Sequence, residues 1–512
     1  MKTKRLNSFF LIVLVVLLVS CTTEKKQTSY NEKYRPQFHF SPPGNWMNDP
    51  NGLVYYKGEY HFFYQYYPDS TVWGPMHWGH AVSNDLVHWD NLPVALYPDS
   101  LGYIFSGSAV IDWNNTSGLK QGNEPPIVAI FTHHSPTILE KKTNDHEYQS
   151  IAFSNDKGRT FIKYDGNPVI PNKMKEPDFR DPKISWNDSL EKWVVVLAAG
   201  QKVEFFSSPD LKNWEFMSKF GTDAGAHGGV WECPDFFKLK IGDDEKWVLI
   251  VNMNPGCPNG GSGTQYFIGQ FNGKEFINDN PKETTLWLDY GPDNYAGVTW
   301  SDIPKEDGRR ILIGWMSNWA YAQVTPTAEW RSSNTIPRVL ELKSTPAGLR
   351  LSANPVKEIE KLRAASSVIK LTAGSEVKIT GLNEFEMSKN LAETDAEEFG
   401  FVFSNSKGEQ LVTGYNRLTN QFYTDRSKSG KTDFSPEFAK IHYAPRISQD
   451  SVLSLNLFLD HSSIEIFADG GLSVMTEIFF PSEIFDHVTF FQKGGTAVNQ
   501  ECTIYDLNSI WP

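Results

Sequence analysis

The chain has 512 residues, with 48 Lys and Arg against 61 Asp and Glu, a net charge of −13 and four cysteines. The acidic balance excludes a nucleic-acid partner, whose phosphates need a basic face, and so few cysteines exclude a disulfide framework. Hydrophobic residues at 40% and charged residues at 21% exclude a disordered or polytopic membrane chain, while 16 Trp and 20 Tyr supply flat amphipathic rings suited to neutral, hydroxyl-rich ligands.

In chain order, Lys2, Lys4 and Arg5 precede an apolar run over residues 9–19 that is too short to span a bilayer comfortably. Residues 1–20 therefore read as a secretory signal. It ends in Leu18-Val19-Ser20-Cys21, which resembles the lipobox of a bacterial lipoprotein, where Cys21 is acylated and becomes the mature N-terminus. The alternative is an ordinary signal peptide with an incidental cysteine. Residues 21–35 are polar without hydrophobic periodicity and predict a tether. The expectation is an exported lipoprotein, anchored on the periplasmic or cell-surface side and touching the membrane through its lipid alone.

From residue 36 to 345 the chain is a succession of short β-type runs broken by Gly, Pro, Asn and Asp, with no sustained helical period. A polar turn followed by an aromatic recurs three times: Ser83-Asn84-Asp85 before Trp89, Ser154-Asn155-Asp156 before Phe161, and Ser208-Pro209-Asp210 before Trp214. Imperfect repeats of this kind predict a propeller. Asp49, residues 105–108, Asp181, Glu232 and residues 295–297 are the candidate innermost strands; their average step of about 62 residues predicts five blades. Residues 346–365 predict a linker helix, with Asn354 as N-cap, Pro355 at the first helical position, and Val356, Ile359 and Leu362 at helical spacing. Over 366–512 strands alternate: Leu453, Leu455, Leu457 and Leu459 share one face, as expected for a β-sandwich. The predicted fold is all-β, a five-bladed β-propeller catalytic domain followed by a C-terminal β-sandwich.

His-Glu-x-x-His, Gly-x-Ser-x-Gly, P-loop and dinucleotide signatures are absent. His133, His134 and His227 lack partners at metal-ligand spacing and read as solvated loop residues, so neither a metal nor a cofactor is expected. The carboxylates are more informative. Asp49, Asp181 and Glu232 each lie in an aromatic or apolar setting with a proline within two positions. Proline removes a ladder donor and fixes the chain direction, which suits a strand end turning at a cavity. On the five-blade arrangement, three acids remote in sequence converge on the axis. Two such carboxyls suffice to cleave a glycosidic bond, one protonating the leaving oxygen and the other attacking the anomeric carbon or activating water.

These motifs resemble glycoside hydrolase family 32, the invertase, levanase and inulinase group. Residues 46–52 match its nucleophile motif, Arg180-Asp181-Pro182 its second acid motif and Glu232-Cys233-Pro234 its acid/base motif. His77-Trp78-Gly79-His80, Gly314-Trp315-Met316-Ser317 and the sandwich strand at 463–467 fit as well. The resemblance implies a retaining hydrolase of β-D-fructofuranosyl linkages in levan, inulin and possible sucrose substrates, releasing terminal fructose. Asp49 is then the nucleophile, Glu232 the acid/base and Asp181 the transition-state stabiliser. Trp46, Asn48, Gln65, Trp73, Phe105, Ser106, Arg180 and Trp315 are the implied sugar-binding residues. An endo-acting levanase or inulinase releasing oligosaccharides, and a fructosyltransferase, remain the alternatives at this point.

Overall fold

A computed structural model describes residues 30–496 and 499–511. The signal-like segment 1–20, Cys21 and the tether up to residue 29 lie outside the described residues.

Five antiparallel sheets follow one another along the chain, each starting with its innermost strand. Those first strands are Asn45–Tyr56, Tyr103–Ile111, Phe179–Asn187, Val230–Ile241 and Tyr295–Thr299. They carry the five motifs whose spacing predicted the blades. The strands behind them are apolar on both faces, because each blade is covered by its neighbours. Ile127–His134 is buried throughout, and Lys192–Ala199 is buried except at Lys192. The ring closes where Trp330–Arg331, from a fifth-blade loop, pairs in parallel with Asn45 and Trp46 of the first blade. This protects an edge that would otherwise be open.

The three polar repeats occupy one position, the turn after the third strand of blades one to three. There Ser83, Ser154 and Ser208 each accept from the backbone N–H of the aspartate two residues on. Those aspartates accept from N–H groups further along, as at His88, Thr160 and Asn213. An aspartate that satisfies its own turn is what the repeat encodes.

The remaining strands form two six-stranded sheets packed as a sandwich. Leu453, Leu455, Leu457 and Leu459 lie in its core with Phe385, Phe401 and Phe403.

Three expectations need correction. Asn354 and Pro355 close the strand Gly348–Pro355, the outermost of blade five, so the propeller runs to residue 355. Asn354 bonds the Gly470 carbonyl instead of capping a helix, and Val356 N–H donates to the Pro337 carbonyl. The helical piece is one 3-10 run, Lys357–Leu362, which buries Ile359 and Leu362 as their spacing implied. Residues 30–35 belong to the body and not to a tether. Tyr30 stacks on Trp511 at 3.8 Å, and the buried Arg35 lies over Trp330 and pairs with Glu32. Finally, His133 and His134 are buried strand residues, not solvated loop ones, and His133 is bonded to Ser150.

Propeller and sandwich are joined by an apolar cluster that includes Ile250, Ile268 and Leu340 from one and Phe458, Phe467 and Val474 from the other. Two ionic networks lie buried in the same contact. His39 bonds Asp460 at 2.7 Å and Glu465 at 2.9 Å, and Arg338 joins Glu465 to Asp289. Arg426 bonds Asp293 and Glu477. Burial alone would lower the His39 pKa, but its two carboxylate partners reverse this and raise it from 6.5 to about 9. A raised folded-state value means that the protonated ring stabilises the fold fully below pH about 6.5, and that this is lost as pH rises through about 9. The linkage is of order 3 kcal/mol. Thermal unfolding followed from pH 6 to 10 should show this decline, and His39→Gln should be less stable at pH 6 and flatten the slope. An unchanged slope in the variant would remove His39 as its source.

Candidate active site

In every blade the ladder between first and second strands slips near the start of the first strand, and blade one slips a second time between Asn51 and Val54. Those near the start fall between Met47 and Pro50, Ile104 and Gly107, Arg180 and Lys183, Glu232 and Asp235, and Tyr295 and Val298. Each is a bulge, and a bulge re-aims the side chains it carries. Asp49, Ser106, Asp181 and Cys233 all sit within one. Pro50, Pro182 and Pro234 belong to three of them, where a missing ladder donor is tolerated. Asp181 and Cys233 have positive φ, 63° and 42°, a costly conformation for non-glycine residues that the surrounding sheet enforces. Gly107 is required for space, since a Cβ there would meet the Ile130 carbonyl oxygen at 2.0 Å.

The bulges bring the three predicted acids together. Cys233 is the common neighbour: its N–H donates to Asp181 Oδ2 at 3.0 Å, and its thiol lies 3.4 Å from Asp49 Oδ2 and 3.6 Å from Asp181 Oδ2. Asp49 also accepts from Ser106 Oγ at 2.7 Å and Asn48 Nδ2 at 3.1 Å. Glu232 accepts from Arg180 Nη2 at 3.0 Å through one oxygen and from the Tyr295 hydroxyl through the other. The Asp181 side chain is 5% exposed and that of Glu232 20%, with Asp49 half-buried. Two reachable carboxyls thus stand over a buried third.

Beneath them the axis is cross-linked between blades. Ser108 bonds the Pro182 carbonyl, Asn252 spans Cys233 and Gly297, and Asp235 accepts from Thr299 while pairing with Lys183. A void of about 10 Å³ is left below Asp181 and Cys233. A larger cavity of about 580 Å³ opens further along, lined by Val110, Ser185, Trp186 and Asp302, and holds none of the three acids.

The electrostatics follow from dryness. Burial raises the Asp181 pKa, the charges of Glu232 and Asp49 add to this against Arg180, and the result is about 8. Asp49 is raised by burial and by Glu232. Burial and the surrounding acids push the Cys233 thiol well above its ordinary value. Among the described residues Arg180 is the one cation paired with these carboxyls, so the trio retains a proton that belongs to it as a set.

Residues 39–355 match the glycosyl hydrolases family 32 N-terminal domain, and residues 351–506 match the family 32 C-terminal domain. The chain belongs to glycosyl hydrolase family 32. The levanase of Bacillus subtilis is 46% identical over 520 residues, covering 99% of this chain and 76% of that protein. An extracellular exo-inulinase of Aspergillus awamori is 38% identical over 94% of this chain and 96% of its own. The crystal structure of exo-inulinase from Aspergillus awamori superimposes with a TM-score of 0.87 at 36% identity, covering 94% of this chain and 100% of that one.

Within the family 32 chain the other implied sugar-binding residues occupy two layers. Trp73, 38% exposed, meets the half-buried Phe105 edge-on at 6.0 Å and forms the rim. Trp46, Gln65 and Trp315 are buried: Trp46 donates to Asn48 Oδ1 and thereby fixes Asn48 beside Asp49, while Gln65 holds the Ile104 carbonyl. Three residues absent from the sequence-based assignment also touch the site. Tyr295 lies on an inner strand, and its hydroxyl donates to Glu232. Cys233 lay inside a recognised motif without a role of its own. Glu147, at the start of Glu147–Ser154, bonds Arg180 and carries no local motif.

Proposed function

We propose that this family 32 enzyme is a retaining β-fructosidase that removes terminal fructose from fructans such as levan and inulin, and from sucrose. The observation that carries the reading is the pair of reachable carboxyls, Asp49 and Glu232, over the buried Asp181. Similarity to a levanase and an exo-inulinase supports the substrate class, and the exo-inulinase supports action at chain ends.

Asp49 serves as the nucleophile. Ser106 and Asn48 donate to its two oxygens, which fixes its direction and favours the ionised form. Glu232 gives the glycosidic oxygen its proton while Asp49 bonds the anomeric carbon, and the carbon–oxygen bond to the leaving sugar breaks. Glu232, now a carboxylate, takes a proton from water as that water attacks the fructosyl–Asp49 ester, so configuration is retained. Asp181 stays off the reaction line. Positive charge growing on the furanose ring favours its ionised form and is stabilised by it in turn.

Export and acylation at Cys21 complete the proposal and rest on the sequence pattern. Cys21→Ala should move the protein from the membrane pellet to the soluble fraction, and a variant that stays in the pellet would remove the anchor. Thin-layer chromatography of levan and inulin digests should give fructose alone from the first time points. A ladder of oligosaccharides would replace exo by endo action, and chain-lengthened products at high sucrose would indicate transfer. Glu232→Gln should lower kcat/KM on fructans by about 10²–10⁴-fold, with a far smaller loss on aryl fructosides whose leaving groups need no proton. Equal losses would take the proton-donor role from Glu232.

A further inference from the structure

Arg180 stands between two sets of carboxylates. Its Nη2 faces Glu232 at 3.0 Å, and its Nε lies 4.0 Å from Asp181. On the other edge, Nη1 bonds Asp178 at 2.7 Å and both oxygens of Glu147 at 3.2 Å. Glu147 has a side chain only 2% exposed, and a carboxylate so buried is destabilising unless paired. Its partners are all in place. His134 Nδ1 lies 3.1 Å away and His146 Nε2 4.0 Å, and His134 is itself stacked on Phe105 at 4.3 Å. Burial pushes the Glu147 pKa up, but the Arg180 guanidinium and His134 more than reverse this and hold it at about 2. His134, His146 and Glu147 are also close enough to ligate a metal, but Arg180 already occupies both Glu147 oxygens and puts positive charge at that place.

We propose that Glu147 is a positioning residue for the acid/base: it holds Nη1 of Arg180 so that the other edge of the guanidinium meets Glu232, and its charge offsets part of that cation. Arg180 is faced by Glu147, Asp178, Asp181 and Glu232. Glu147 is faced by Arg180, His134 and His146, and Glu232 by Arg180, Tyr295, Cys233, Asp49 and Asp181. With Glu147 neutral, the guanidinium acts less diluted on the trio and favours its ionised forms. The proton needed by the leaving group is then lost at lower pH.

This rests on the fructosidase reading, and the test separates the two. Glu147→Gln keeps the shape and removes the charge. The alkaline limb of its kcat/KM profile on levan or inulin should move to lower pH by at least about 0.5 unit, a fraction of the roughly 1–3 units a charge in direct contact produces. On an aryl fructoside that limb should stay where the wild type has it. A merely structural residue would lower the folded fraction without moving either limb. If Glu147→Gln does not fold, Asp178→Asn, at a half-exposed carboxylate on the same nitrogen, should move the fructan limb the same way by less. A wild type inert on levan, inulin and sucrose overturns the fructosidase reading and this inference with it. An active wild type whose limb is shared by Glu147→Gln, or by Asp178→Asn where that is the variant read, overturns this inference alone.

Discussion

One guanidinium shared among four carboxylates is the interaction on which the site depends. Arg180 touches Glu147, Asp178 and Glu232 and reaches Asp181 at 4.0 Å. In water such an excess of acid would simply ionise. Here desolvation makes each further negative charge expensive, and a single cation cannot balance them. Burial and mutual repulsion therefore push the Asp181 and Asp49 carboxyls above the usual carboxylate range. Glycosidic chemistry is set less by any one acid than by the mismatch between anions and cations in a dry hub.

The fold supplies that hub by repeating one local irregularity. Five innermost strands run to a common axis, and each kinks near its start, so that one or two side chains per blade turn inward. Bonds between blades flank the left-handed backbone at Asp181 and Cys233, from Ser108 to the Pro182 carbonyl, from the Gly297 N–H to Asn252 and from the Thr299 N–H to Asp235, while Asn252 holds the Cys233 carbonyl within its own blade. The thiol of Cys233 lies between Asp49 and Asp181, and the hydroxyl of Tyr295 donates to Glu232.

Much of this was legible because periodicity and proline report on backbone. The step of about 62 residues located the inner strands, and the Ser-x-Asp turns marked equivalent positions in three blades. The acid–proline pairs pointed to the kinks. Sequence failed where a residue's meaning lies in a remote partner. Glu147 lies 33 positions from Arg180, and its strand reads like any other buried run. Asn354-Pro355 has the form of a helix start, yet the hairpin with Arg338–Thr345 outcompetes it. Residues 30–35 read as tether because nothing nearby shows that Trp511, at the far end of the chain, stacks on Tyr30.

The charges sealed between propeller and sandwich bear on whether the two can be parted. Asp289 and Asp293 on one side have Arg338 and Arg426 as counter-ions, and Arg426 comes from the other side, as do Asp460 and Glu465 around His39. A propeller stripped of its companion would leave several ions unmatched in an apolar surface. The sandwich is thus a structural member of the fold and no detachable accessory: cutting it away would require the propeller to lose or re-pair these ions as well.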